Sequence, residues 1–114
     1  MAHVRYKHFK GGIYKVLGVA TPLPRGFDVE GLKKTAVYED GVNKRTVYIY
    51  KGLLLIDWYV SCVVYVSEDK RVKTIYARSV DDFFGWVDRG GKVFPRFQKL
   101  LYSKLDNWKD PAVG

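Results

Sequence analysis

The chain has one cysteine, Cys62, and two histidines, His3 and His8. A lone thiol cannot close a disulfide within the chain, which fits a reducing compartment. Cys62 lies among Val60, Val63 and Val64, where a thiol reads as a small buried hydrophobe rather than a reactive nucleophile. So few thiols and imidazoles do not make a zinc site, and neither metal nor cofactor is expected. Long apolar runs are also missing. The stretch from Gly52 to Ile56 stops at Asp57, and that from Trp58 to Ser67 stops at Glu68. Both are strand-sized and far below the roughly 18–20 residues that cross a bilayer, so no membrane partner is expected. The first residues are charged and carry no apolar targeting core, which predicts a cytoplasmic location.

Catalytic patterns are equally sparse. There is no phosphate loop of the Walker or dinucleotide type, because Gly11-Gly12 and Gly90-Gly91 are isolated turn pairs. A serine nucleophile would need a base and an orienting group, and no spacing around His8 supplies them. Asp81 and Asp82 are adjacent, so on a helix they point about 100° apart; that suits a helix N-terminus better than an acid–base pair. No catalytic residue is assigned; the residues favour a binder over an enzyme, and the enzyme reading stays open.

Acidic residues are absent from two segments, and there the charge is concentrated. Residues 1–20 carry Arg5, Lys7, Lys10 and Lys15 with no acid, and residues 89–105 carry Arg89, Lys92, Arg96, Lys99 and Lys104 with none. Residues 21–88 cancel, so the formal net charge of +8 arises at the two ends. If the ends meet, as termini often do, they form one positive patch that attracts polyanions, phosphorylated small molecules or acidic proteins. The alternative is a surface that serves solubility alone.

What remains is ample for one packed core: 47% hydrophobic residues, with three Trp, nine Tyr and six Phe in 114 residues. The length suits a single domain over residues 1–114. Periodicity is mostly of the strand kind. Ile13 to Ala20 is apolar on both faces and predicts a central strand, stopped by Pro22 and Pro24. Lys34–Tyr38 and Arg45–Ile49 flank a turn at 39–43 and predict a hairpin. A helical turn over 28–34 is the competing reading there, weakened by Gly31. Leu53–Ile56 and Trp58–Val66 read as strands, or as one long strand bent at Asp57. Thr74–Arg78 follows, and then Ser79 as the N-cap of a helix kept short by Gly85. A Gly-Gly turn at 88–92 leads to an extended Val93–Leu100. Leu101, Leu105 and Trp108 would share one face of a terminal helical turn. The prediction is a mainly β fold, a small and strongly bent sheet or barrel of SH3-like size with one short helix.

Basic and aromatic residues interleave at both ends, as Arg5-Tyr6-Lys7-His8-Phe9-Lys10 and as Pro95-Arg96-Phe97-Gln98-Lys99. Guanidinium forks a phosphate and rings stack on bases, so this pairing suits a nucleotide. Alternatively Tyr6, Phe9 and Phe97 are core, and the cations are the wet side of edge strands.

The run from Tyr6 to Ala20, Tyr-Lys-His-Phe-Lys-Gly-Gly-Ile-Tyr-Lys-Val-Leu-Gly-Val-Ala, resembles the opening of a small bacterial and phage family catalogued as domain of unknown function sixteen fifty-three. Val63-Val64-Tyr65, Ile75 to Ser79, Asp82-Phe83-Phe84 and Gly91 to Phe97 resemble its later strands, short helix and closing Pro-Arg-Phe. The family is usually shorter in the middle, so residues 21–62 read as an insertion, and Ser79 stands where proline is usual. The resemblance implies a barrel-like domain with no established activity. Its phage members suggest a role in the host cytoplasm such as counter-defence.

These readings combine into an expected function: non-enzymatic binding of an anionic, nucleotide-like ligand, in the concrete form of a phage sponge that sequesters a nucleotide signal. Arg5, Lys10, Arg78, Arg96 and Lys99 are the expected phosphate contacts, and Tyr6, His8 and Phe97 the stacking or hydrogen-bonding residues. The alternatives are a nucleic-acid-binding barrel and a protein-interaction module. Tyr38, Tyr48, Tyr50, Trp58 and Tyr59 in the insertion would line a pocket wall or a self-association surface, the latter giving a homo-oligomer.

Overall fold

The computed structural model describes residues 3–39 and 42–100; the expected helical turn at Leu101–Trp108 lies outside them. Among the described residues, ten strands and one short helix follow in chain order. The strands are β1 (Arg5–His8), β2 (Ile13–Pro22), β3 (Lys33–Glu39), β4 (Asn43–Tyr50), β5 (Leu53–Ile56), β6 (Cys62–Ser67) and β7 (Ile75–Ser79), followed after the helix by β8 (Trp86–Arg89), β9 (Lys92–Pro95) and β10 (Phe97–Lys99). Helix α1 (Val80–Phe83) separates β7 from β8.

Six of these strands close a mixed barrel in the order β2-β5-β4-β3-β7-β6, with β6 returning to β2. Most pairings are antiparallel; β2–β5 and β3–β7 are parallel. The fold is thus the mainly β barrel with one short helix that the strand pattern implies. The stretch 21–62 supplies β3, β4 and β5, half of the barrel wall. The hairpin is β3–β4, paired from Lys33↔Ile49 to Glu39↔Asn43. No helical turn forms over 28–34, where Gly31 at φ +81° precedes the start of β3. Asp57 to Ser61 is irregular rather than strand, so the expected strand from Trp58 begins only at Cys62.

β1 and β10 extend the wall beyond the barrel, pairing as β10-β1-β2. A bulge between Val16 and Gly18 allows β2 to serve both regions. Before it, Val16 lies opposite Tyr65; after it, Gly18 and Ala20 lie opposite Val64 and Cys62. β2 is central by pairing, but Leu17 and Val19 are 41% and 50% exposed. The strand buried on both faces is β6. Cys62 and Val64 point into the barrel with Ala20, Val37, Val47, Ile56 and Ala77. Val63 and Tyr65 point out to a second core with Phe83 and Phe97.

Ser79 caps α1, its hydroxyl accepting from the Asp82 N–H at 3.2 Å, with Asp81 and Asp82 in the first turn. The helix ends at Phe83 with Phe84 as its C-cap, and at Gly85 just beyond it an added Cβ would come within 2.9 Å of the Asp81 carbonyl oxygen. Phe83 delivers the helix to the second core, its ring stacked on Phe97 at 4.1 Å and 10°. Inside the barrel, burial foremost and then the Glu39 charge push the Cys62 thiol up to about 11. Cys62 is therefore an inert packing residue.

Candidate functional site

β1, β2, β6, β7 and β10 present one face outside the barrel, and the alternation of each strand decides which side chains it shows. On β7, Ala77 points into the barrel, so Tyr76 and Arg78 point out, opposite Tyr65 and Val63 of β6. On β2, before the bulge, Tyr14 shares that side. On β1, Tyr6 and His8 face it with Phe97 of β10, since His8 and Phe97 are cross-strand partners. The result is an open cleft of about 110 Å³ lined by His8, Tyr14, Tyr65, Tyr76, Arg78 and Phe97.

The rings hold one another edge-on. Tyr14 lies 5.5 Å from Tyr65 and 6.0 Å from Tyr76, and His8 lies 4.8 Å from Phe97. Tyr65 and Tyr76 stack at 5.5 Å and 25°. Edge-to-face and offset pairs of this kind add stability beyond their burial. Arg78 sits among them, its Nε donating to the Tyr65 hydroxyl at 3.4 Å.

His8 is fixed by the turn that follows it. Its N–H donates to the Gly12 carbonyl and its carbonyl accepts from Gly11, each at 2.8 Å. Gly11 takes φ +117°, a value that favours glycine. Nδ1 of His8 accepts from the Lys10 N–H at 3.1 Å, which leaves Nε2 as the protonated nitrogen of the neutral ring. Burial, and then the positive charges of Arg78, Arg96 and Lys10, lower its pKa. Burial, then Tyr76, raises the pKa of Tyr14. At neutral pH the cleft therefore presents a neutral imidazole, phenol hydroxyls and a guanidinium, and no carboxylate is among the residues lining it.

The expected site residues distribute unevenly. His8, Arg78 and Phe97 line the cleft, while Lys10 and Arg96 stand near enough to act on His8. The two basic ends do meet, through the pairing of β1 with β10. Phe97 is at once core and cleft wall. Tyr6 packs edge-on against Phe83 at 5.1 Å and Phe84 at 6.0 Å, outside the cleft. Lys99 is the cross-strand partner of Tyr6 on the same face but does not line the cleft. Arg5 turns to the other side of β1 and forms an ion pair with Glu68, its Nη2 lying 2.9 Å from Oε1. That bond holds the Glu68 carboxyl below its ordinary range. Tyr14, Tyr65 and Tyr76 are the residues the sequence reading passed over. Each sits next to aliphatic residues in its strand and looks like core; the signal was a hydroxyl recurring in all three.

Arg96 is partly scaffold. Its Nε donates to the carbonyl oxygen of Asp82 at 3.1 Å, not to the Asp81 or Asp82 carboxylates. Its own N–H donates to Gly85 at 3.0 Å, and its carbonyl accepts from Phe9 at 2.9 Å. The guanidinium thus adds a second donor to a carbonyl at the end of α1 that already accepts from the Gly85 N–H at 3.2 Å, and sets a cation where the helix dipole favours one. Arg96→Ala is expected to cost about 1 kcal/mol, seen as a Tm lower by roughly 4–8 °C, with Lys restoring part. An unchanged Tm would remove the scaffold role.

No family model, curated protein or solved structure matches the chain.

Proposed function

We propose that the chain is a non-enzymatic binder of a phosphate-bearing, nucleotide-like anion, with a phosphate seated in the tyrosine-lined cleft. The observation that carries this reading is Arg78 beside His8 in a cleft where no carboxylate is among the described lining residues, which include three tyrosines; the charges of Arg96 and Lys10 also act on His8. Arg78 supplies the fork, and the phenols and the His8 Nε2–H supply further donors. Ligand pockets generally measure about 300–1,000 Å³, so a cleft of about 110 Å³ suits a phosphate group, with sugar and base outside it. With the family resemblance, the reading extends to a sponge for a nucleotide signal, because holding a ligand without turnover needs cations and rings but no catalytic group.

A second reading, a nucleic-acid binder, is favoured by one further feature. Arg5, Lys7 and Lys15 lie together on the other face of β1 and β2, with Arg5 directly opposite Lys15. Glu68 offsets part of the repulsion between Arg5 and Lys15 through its ion pair with Arg5, and with Lys7 the two keep a positive surface that suits a polyanion.

The test is the titration of His8 followed by NMR. In the free protein the imidazole should titrate below about 6.5, because burial and three cations disfavour the imidazolium. A bound phosphate offsets those cations, so in saturating AMP the pKa should rise. The sign follows from linkage: the state that stabilises imidazolium takes up the proton. An unmoved His8 pKa in a protein saturated with AMP would place the phosphate elsewhere.

A further inference from the structure

The opposite face of the β1–β10 pair carries a second cleft that the phosphate reading does not use. Its volume is about 240 Å³, and it is lined by Lys7, His8, Phe9, Phe94, Pro95 and Gln98. Lys7 and Gln98 are cross-strand partners and so project to the same side; both are exposed. Phe9 comes from the turn after β1 and Phe94 from β9, with ring centroids 5.9 Å apart and planes inclined at 57°. Two cations lie over Phe9, Lys10 with Nζ at 5.7 Å and Arg89 with Cζ at 5.6 Å from the ring centre. Arg89 is in turn directly opposite Lys92 in the β8–β9 hairpin, a like-charge pairing that disfavours the hairpin itself. No carboxylate is among the lining residues. His8 borders both clefts.

Each element has a use for a nucleobase. Rings set apart and inclined offer a face to a planar heteroaromatic group, and base–aromatic stacking tolerates any base. Gln98 carries a donor and an acceptor on one planar amide, the pattern that matches a base edge. Lys7, Lys10 and Arg89 supply positive charge for the phosphates on either side of the base. A purely apolar partner would leave those cations unmatched, and an inorganic anion would leave the rings unused.

We propose that this second cleft is a base-binding subsite, taking the base of a nucleotide unit whose phosphate is read around His8. The proposal rests on the nucleotide reading above and adds where the base goes. The chemistry is shared by a free nucleotide and by single-stranded nucleic acid.

The test titrates the full chain with inorganic phosphate, ribose 5-phosphate, AMP and a single-stranded ten-residue oligoadenylate, followed by NMR. AMP is expected to move the Gln98 side-chain amide, and the two base-free probes, inorganic phosphate and ribose 5-phosphate, are not. Gln98→Ala, checked for an unchanged Tm, should weaken AMP roughly two- to tenfold, the span of one neutral hydrogen bond, and leave ribose 5-phosphate untouched. Lys7→Ala, also on an exposed position, should weaken AMP in the same direction. Tighter oligoadenylate binding that falls steeply with salt identifies a strand as the source; AMP binding as tightly as the oligomer identifies the free nucleotide. Equal binding of AMP and ribose 5-phosphate, with Gln98 unmoved, overturns the base subsite and leaves the phosphate reading standing. AMP moving Gln98 while His8 and Arg78 stay still overturns the phosphate reading instead. No binding by any of the four probes overturns both.

Discussion

Arg78→Ala should lower affinity for AMP by more than tenfold, as measured by calorimetry, in a protein that remains folded. Arg78 is the one arginine that lines the tyrosine cleft. It projects from β7, whose neighbouring residue Ala77 anchors the strand in the barrel. A charge-assisted contact to a phosphate is worth on the order of 1.5–3 kcal/mol, and tenfold in affinity is about 1.4 kcal/mol. Lysine should recover only part of the loss, since a point charge cannot reproduce a planar fork. Arg78 also donates to the Tyr65 hydroxyl, so the variant will lose some stability, and its melting must be measured beside its binding. A variant that is folded and binds AMP at full strength would sink the phosphate site at its centre.

The largest effect on stability is expected from Phe83→Ala, at about 3–5 kcal/mol in urea unfolding. Phe83 is fully buried. Besides its stack on Phe97, it meets Tyr6 at 5.1 Å and Tyr65 at 5.3 Å. A helix as short as α1 has no stability of its own and stays docked through this ring, the Ser79 cap and the Arg96 bond. Native domains are stable by only about 5–15 kcal/mol, so the change removes a large share. The high end of the range is expected because the ring is enclosed by other rings that cannot easily collapse into its space. A loss below about 1 kcal/mol would mean that the aromatic cluster does not hold the helix.

What the sequence disclosed, it disclosed locally. The β3–β4 hairpin announces itself through a short polar turn between two β-rich runs, and Ser79 announces α1 through a side chain that can reach an orphan N–H. Barrel closure is a different matter, because it depends on β2–β5 and β3–β7, parallel pairings between segments far apart in sequence. The bulge at Val16–Gly18 was equally hidden. It switches the side on which β2 residues fall, so a strand that reads as apolar on both faces leaves Leu17 and Val19 in solvent. In the site, charge made the two ends legible: an acid-free segment at each end of the chain is visible without knowing the fold. The tyrosines were not legible, since a tyrosine lining a cleft and a tyrosine in a core occupy the same alternating positions. The side of the sheet that Arg5 takes was hidden for a reason of the same kind. Strand alternation separates it from Tyr6 and His8, but only pairing with the neighbouring strands decides which side holds the cleft.

β6 is a wall shared by two rooms. Val64 fills the barrel, and the next residue, Tyr65, holds the cleft. Such a strand cannot swing away for one side alone; releasing Tyr65 from the cleft would also pull Val64 and Cys62 out of the barrel. Displacing β6 on the cleft side would therefore disturb the barrel core as well. The ordering of Tyr65 is settled when the chain folds, so the anion proposed for the cleft would meet a wall already in place and lose little affinity to immobilising it.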